Sequence, residues 1–228
     1  MRLIPWDKLP DYMKNEDVKP YYDNLSKKKM SLFFKRIFDM VMSMTLLILL
    51  SPILVVLSIW IKLDSKGPIF FRQTRITNYG KRFEIFKFRT MVENAEALGS
   101  QVTTQNDKRI TEVGKKIRKI RLDELPQLIN IFKGEMSFIG TRPEVPKYVK
   151  HYSPEMYATL LLPAGVTSEA SIVYKDEDKL LNNATDVDRI YIEKVLPSKM
   201  LWNLKGVKEF GFFREMRILF KTVKVVFK

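Results

Sequence analysis

The sequence predicts a mixed α/β protein, mostly helical, attached to a membrane by one apolar helix and by amphipathic helices at the interface. Three observations predict it. Met40 to Ile61 is an apolar run without a charge. Two aromatic and β-branched segments, Pro68-Ile-Phe-Phe-Arg and Arg82-Phe-Glu-Ile-Phe-Lys-Phe, flank Asn78-Tyr-Gly, the pattern of a hairpin. Downstream of them, apolar residues recur at helical spacing between prolines.

Residues 1–29 are polar with scattered aromatics (Trp6, Tyr12, Tyr21, Tyr22) and are expected to form an N-terminal extension with little core of its own. Residues 30–63 form the membrane element. Its apolar run is long enough for a bilayer helix, which needs about 20 residues. Ser51-Pro52 interrupts it. Proline removes a backbone donor and clashes one turn back, so the helix kinks or breaks. In lipid the freed carbonyl needs a partner, and the Ser51 hydroxyl is a nearby candidate. Lys27, Lys28, Lys29, Lys35 and Arg36 precede the run; Lys62, Lys66, Arg72 and Arg75 follow it. Basic flanks favour the cytoplasmic side. A kinked spanning helix is a common solution but places one basic flank on the opposite side. A helix that breaks at Pro52 and returns keeps both together, and this re-entrant form is the expectation. The run starts too late for a secretory signal, and no small-residue cleavage site follows it.

Residues 64–228 are expected to form one cytoplasmic domain. After the hairpin, Val92 to Leu98 reads as a short helix ended by Gly99, and residues 100–109 as a polar loop. Val113 to Ile120 is an amphipathic helix. A second helix starts at Pro126 and runs to Phe132 before Gly134. Prolines punctuate the stretch from Pro143 to Pro163, and Asp186 to Leu196 is helical. Arg214 to Lys228 is amphipathic: Leu219, Phe220, Val223, Val226 and Phe227 share one face, with basic residues on the other. Such a helix either lies in a membrane interface or packs on the domain with a solvated basic face.

Composition narrows the chemistry. Forty Lys and Arg against 26 Asp and Glu leave a net charge of +14 in 228 residues. Such a chain seeks phosphates, and the membrane element turns the choice toward lipid headgroups. No cysteine is present and His151 is the single histidine. Thiolate catalysis, Ser-His-Asp hydrolysis and multi-histidine metal sites are therefore set aside. Catalysis must come from carboxylates, Lys, Arg, Tyr, hydroxyls or an added metal.

Arg118-Lys-Ile-Arg-Leu-Asp-Glu-Leu-Pro-Gln127 holds the sharpest candidate site. Asp123 and Glu124 are adjacent carboxylates ahead of a proline-started helix, whose positive end is expected to keep a carboxylate ionised and to favour phosphate beside it. Among Arg118, Lys119 and Arg121, such a carboxylate serves as a nucleophile or a magnesium ligand. A bare Asp-Glu pair is most often an ordinary acidic helix turn. Two further basic clusters argue for more: Lys87-Phe-Arg-Thr-Met91, and Gly140-Thr-Arg-Pro-Glu144 presenting Arg142. Together they offer cations that could converge on a diphosphate.

Ser51-Pro52, Phe-Arg-Gln-Thr-Arg-Ile (71–76), Lys-Phe-Arg-Thr-Met (87–91), Leu-Asp-Glu-Leu-Pro-Gln-Leu-Ile-Asn (122–130) and Lys-Gly-Glu-Met-Ser-Phe-Ile-Gly-Thr-Arg-Pro-Glu (133–144) follow in order. This set resembles the bacterial sugar transferases called monotopic polyprenyl-phosphate phosphoglycosyl transferases, in their small form, over roughly residues 30–225. The resemblance implies transfer of a sugar-1-phosphate from a nucleoside-diphosphate sugar, usually a UDP-sugar, to undecaprenyl phosphate at the cytoplasmic face of a bacterial inner membrane. It implies Asp123 as the nucleophile working with Mg2+, and Glu124 as the partner carboxylate near the metal or assisting the lipid phosphate. It also implies Lys87, Arg89, Arg118, Arg142 and Gln127 as phosphate- or substrate-binding residues. Membrane lipids and downstream glycosyltransferases are the implied partners; nucleic acid is not one. The chain departs from the family pattern at Gly140-Thr-Arg-Pro143, where Gly-Pro-Arg-Pro is usual, and at Pro163-Ala-Gly-Val-Thr-Ser168, where Pro-Gly-Ile-Thr-Gly is usual. Asp188 and Tyr191 match a family Asp-x-x-Tyr segment loosely. Three rival readings remain: a basic membrane-bound nucleic-acid binder, for which no reading helix is recognisable, a non-catalytic scaffold for glycan enzymes, and a one-step transfer through a ternary complex.

Overall fold

The computed structural model describes residue 1 and residues 3–95, 107–174 and 186–226. Part of the expected helix at Val92 to Leu98, and most of the loop at 100–109, lie outside the described residues. The fold is mostly helical with two small sheets, a mixed α/β architecture as the sequence predicts.

A short helix, α1 (Lys19–Ser26), precedes the apolar run, which is two helices, α2 (Lys29–Leu49) and α3 (Ser51–Asp64), meeting at a 62° bend. No single described helix is long and apolar enough to cross a membrane. The bend has a local cause. Pro52 has no amide hydrogen, so the Ile48 carbonyl one turn back loses its usual donor. The Ser51 hydroxyl donates to that carbonyl at 2.8 Å, the replacement the sequence suggests. Met40, Val41, Met44, Ile48 and Leu49 on α2, and Val55, Val56, Ile59 and Leu63 on α3, are exposed.

The opposite stripe of α2, Leu32, Lys35, Asp39 and Ser43, faces the domain and is buried. Lys35 ion-pairs with Glu215 of the last helix and lies 3.7 Å from Asp39. Asp39 accepts from the Phe138 amide at 3.3 Å. Burial pushes the Glu215 carboxyl up to about 7, with Lys35 and Arg214 opposing and Asp39 adding. The folded state therefore favours the neutral acid. That contribution is fully present below the ordinary value of 4.5 and is lost as pH rises through about 7. The melting temperature should fall between about pH 5 and about pH 8, and Glu215→Gln should flatten that part of the profile.

Strands β1 (Phe70–Ile76) and β2 (Arg82–Phe88) pair antiparallel, Phe70 opposite Phe88 and Ile76 opposite Arg82, around the turn at Asn78–Gly80. Helix α4 (Glu112–Lys119) follows, capped by the Thr111 hydroxyl, then a 3-10 turn (Leu122–Glu124) and α5 (Gln127–Lys133). Asn130, fully buried, fastens α5 to β2. Its carboxamide accepts from the Phe86 amide at 2.9 Å and donates to the Glu84 carbonyl at 2.8 Å. The pair thus answers backbone groups that the sheet leaves open.

Strand β3 (Met136–Ile139), helix α6 (Pro146–Val149), strand β4 (Ala164–Thr167) and helix α7 (Glu169–Val173) complete the middle of the domain. β3 and β4 pair in parallel, Met136 with Ala164 and Ile139 with Thr167. The departure at 163–168 is thus β4, with Ala164 buried in the core. Ser168 caps α7 by accepting from the Ser171 amide at 3.1 Å.

Helix α8 (Val187–Ile190) runs through a π turn (Tyr191–Val195) into α9 (Leu196–Lys208), past the expected end at Leu196. Pro197, the second residue of α9, follows directly on the π turn, and the helix continues through it. The last helix, α10 (Phe212–Val226), packs through Glu215 and Ile218 and leaves Phe213, Phe220 and Val223 exposed beside Arg217, Lys221 and Lys224. It is both a packed helix and one with apolar residues on its open face.

The N-terminal residues have no core separate from the domain. Leu9, Met13, Val18 and Leu25 are buried with Tyr148, Tyr152, Leu160, Tyr191 and Met200.

Candidate active site

The sequence elements converge on one cleft of about 1400 Å³. β1 contributes Arg75, β2 Lys87, α4 Arg118, the 3-10 turn Asp123 and Glu124, and the turn after β3 Arg142. Arg121 adopts a left-handed backbone, φ 60° and ψ 20°. This conformation is costly for a residue with a side chain. Here it ends α4 abruptly and turns the dyad back toward β2.

The two carboxylates have different surroundings. Glu124 lies between Lys87, at 3.0 Å, and Arg142, which ion-pairs with the same oxygen. Burial alone would raise the Glu124 carboxyl. The Arg142 and Lys87 cations outweigh it and hold the group well below the usual carboxylate range. The Lys87 ammonium is lowered by burial, with Glu124 opposing. Asp123 is 7% exposed, and no described residue donates a hydrogen bond to it. Burial raises its carboxyl; Lys87 opposes and the Glu124 charge adds. The sequence reading assigned an ionised carboxylate to the positive end of a helix. The structure gives Asp123 the reverse shift, because desolvation outweighs the field of a seven-residue helix.

The arrangement sorts the dyad chemically. Glu124 holds two cations side by side, a preorganised seat for phosphate oxygens. Asp123 keeps its oxygens open to the cleft. Among the described residues there is no group of three or more metal-binding side chains. Magnesium does not require one, since it retains waters and uses one or two carboxylates with substrate phosphates. Asp123, buried and without a donor among the described residues, fits that role. Glu124, engaged by two cations, fits it less well.

The remaining predicted residues divide. Arg118 lines the cleft, its guanidinium 3.5 Å from the Thr90 hydroxyl. Arg89 also lines it, but its Nη2 donates to the Ser65 carbonyl at 2.6 Å and hydroxyl at 2.8 Å, tying the end of α3 to β2. Nε and Nη1 of Arg89 are buried without hydrogen-bond partners among the described residues. Gln127 is placed elsewhere: 1% exposed, it lies inside the fold and is not a wall of the cleft. Ser51 and Pro52 sit at the bend between α2 and α3.

Sequence reasoning missed Arg75, whose Nη1 donates to the Pro143 carbonyl at 3.0 Å. Strand alternation from Phe71 through Gln73 was the available signal. It also missed Glu144, Tyr148 and Lys199 on the far wall, beside Tyr191. Tyr148 donates to Asp188 and Tyr191 to Glu144, so Tyr191 of the loosely matched Asp-x-x-Tyr segment is part of this wall and Asp188 braces it through Tyr148. Lys199 carries no local signal at all.

Known proteins extend this picture. The chain is 36% identical over 200 residues to the UDP-N-acetylgalactosamine-undecaprenyl-phosphate N-acetylgalactosaminephosphotransferase of Aeromonas hydrophila, covering 85% of the chain and 44% of the relative. It is 34% identical over 223 residues to the undecaprenyl-phosphate galactose phosphotransferase of Salmonella typhimurium, covering 90% and 43%. It is 31% identical over 192 residues to the UDP-glucose:undecaprenyl-phosphate glucose-1-phosphate transferase of Caulobacter vibrioides, covering 83% and 68%. The chain thus spans less than half the length of the first two. The sequence profile for bacterial sugar transferases matches residues 30–228, which takes in both carboxylates, all the cleft cations and the bent helix pair. The chain belongs to the bacterial sugar transferase family.

Proposed function

We propose that the protein transfers a sugar-1-phosphate from a UDP-sugar to undecaprenyl phosphate at the cytoplasmic face of a bacterial inner membrane, initiating surface glycan assembly. The observation that carries this reading is the open, buried carboxylate of Asp123 beside the cation pair that Glu124 holds in place. The Asp123 carboxylate attacks the sugar-bearing phosphorus. The bond to the bridging oxygen breaks, UMP leaves, and a phosphosugar remains on Asp123. A phosphate oxygen of the lipid then attacks the same phosphorus, the aspartyl bond breaks, and the carboxylate is restored. Lys87, Arg118 and Arg142 stabilise the phosphate charge in both halves, so each substrate uses the same pocket in turn. Magnesium supplies further charge neutralisation when bound, with Asp123 as its protein ligand.

The test offers a panel of UDP-sugars with undecaprenyl phosphate and magnesium and follows UMP release. One UDP-sugar should support turnover. Release beyond one equivalent per protein that does not depend on the lipid phosphate across the whole panel, or no release at all, rejects the reading.

The bent pair α2–α3 is proposed as a re-entrant anchor. The bend, the Ser51–Ile48 bond and the exposed apolar rows support it. The chain has no cysteine, so a cysteine in place of exposed Lys27 reports its side alone. In intact cells Lys27→Cys should resist a membrane-impermeant thiol reagent and become labelled after lysis. Pro52→Ala with Ser51→Ala should expose part of the population in intact cells. Full labelling in the Ser51-Pro52 background means the helix spans.

A further inference from the structure

The turn Arg142-Pro143-Glu144 is held from two sides. On the near side Arg142 meets Glu124, and Arg75 grips the Pro143 carbonyl. The Ile76 amide donates to the Glu144 carbonyl at 3.0 Å. On the far side the Glu144 carboxylate accepts from the Tyr191 phenol at 2.6 Å. Lys199 donates to the same phenol oxygen at 3.1 Å and lies 3.7 Å from the carboxylate. Glu144, Tyr191 and Lys199 are only 7%, 3% and 6% exposed.

The helix geometry that makes this contact is unusual. Tyr191 opens the π turn that joins α8 to α9. Residues eight apart on an ordinary α-helix point about 80° away from each other. One extra residue in a π turn reduces that separation to about 20°, bringing Tyr191 and Lys199 onto one face. Turns of this kind concentrate at functional sites. A buried charged group adds little net stability over apolar packing of the same volume. Its geometric effect here is to hold one end of the turn that carries Arg142.

We infer that Glu144, Tyr191 and Lys199 are positioning residues that set the Arg142 guanidinium for the diphosphate of the nucleotide sugar. The inference rests on the proposed transfer reaction and adds three residues that do not themselves touch phosphate. Arg142 takes its place because Glu144, two residues on, is anchored to α9 through the phenol and the ammonium.

A double-mutant cycle tests it, with the native protein, Tyr191→Phe, Arg142→Lys and the double variant. Each is read for UDP dissociation constant by calorimetry in detergent and for UMP release with UDP-sugar and undecaprenyl phosphate. Tyr191→Phe should weaken UDP binding and lower kcat/KM about tenfold or more, with the melting temperature shifted by only a few degrees. The double variant should be no worse than Arg142→Lys alone within about twofold, because both act through one guanidinium. Losses that multiply, or a Tyr191→Phe protein indistinguishable from native, overturn the inference. If Tyr191→Phe does not fold, Lys199→Gln, which keeps the phenol, takes its place in the cycle. Coupled UDP binding without UMP release from any UDP-sugar upholds the positioning role and rejects the transfer reaction. Absence of UDP binding by the native protein rejects both.

Discussion

Asp123→Asn should abolish turnover while leaving the fold intact. The substitution keeps the shape of the side chain and removes the charge that attacks phosphorus. Asp123 receives no hydrogen bond from a described residue and its carboxyl is raised by burial, so the neutral amide replaces a group the fold does not need charged. The melting temperature should stay within a few degrees of native, or rise. Activity should fall by about a thousandfold or more, as expected when the attacking group of a covalent mechanism is lost. The native protein incubated with its UDP-sugar and magnesium, without lipid, should gain the mass of one phosphosugar on the peptide containing Asp123. The Asn variant should gain none. Near-native turnover by the Asn protein means that Asp123 is not the nucleophile. Turnover that requires both substrates together, with no adduct on native protein, points instead to one-step transfer.

Gly165→Ala should damage both the fold and the site. A Cβ at Gly165 would sit 2.1 Å from the Gly140 nitrogen and 2.4 Å from its carbonyl oxygen. Those are backbone atoms, so no side chain can swing aside. The two backbone segments meet closely here because the Gly165 amide donates to the Thr141 carbonyl at 2.8 Å and the Gly140 amide to the Thr167 carbonyl at 3.0 Å. Forcing them apart should cost about 3 kcal/mol, roughly 10 °C in melting temperature for a chain of this size. The same displacement moves Arg142, whose Nη1 reaches the Val166 carbonyl at 3.4 Å, so activity should fall further than stability alone explains. Gly206→Ala is the control. It lies within α9 with nothing within 4 Å of the added carbon, and alanine there should be neutral or stabilise by about 1 kcal/mol. Equal melting temperatures for the two variants would show that the contact is not tight.

Several features were legible in the sequence because their causes are local. A proline removes the donor one turn back, so the break at Pro52 and its repair by Ser51 follow from two adjacent residues. The β1–β2 hairpin follows from aromatic and β-branched runs around a tight turn. Helices α4 and α5 follow from their apolar spacing and from Pro126. The candidate site residues were recognisable as residue types: the four cations Lys87, Arg89, Arg118 and Arg142 and the carboxylates Asp123 and Glu124 all line the cleft, and Gln127 does not, but their roles were not separable until their partners were in place.

What only the tertiary structure decided depends on which distant residues share a desolvated space. β3 and β4 are parallel and β3 is buried at every position, so no alternation betrays it and its partner lies a long connection away. The N-terminal residues read as polar, yet Leu9, Met13, Val18 and Leu25 find apolar partners across the whole chain. Adjacent in sequence, Asp123 and Glu124 differ because Lys87 and Arg142 converge on one and leave the other to burial. Sequence supplies charge and period, which are properties of residues and their near neighbours. Ionisation, pairing and the Glu144–Tyr191–Lys199 clamp are set by dielectric and distance, and these exist only once the chain has closed on itself.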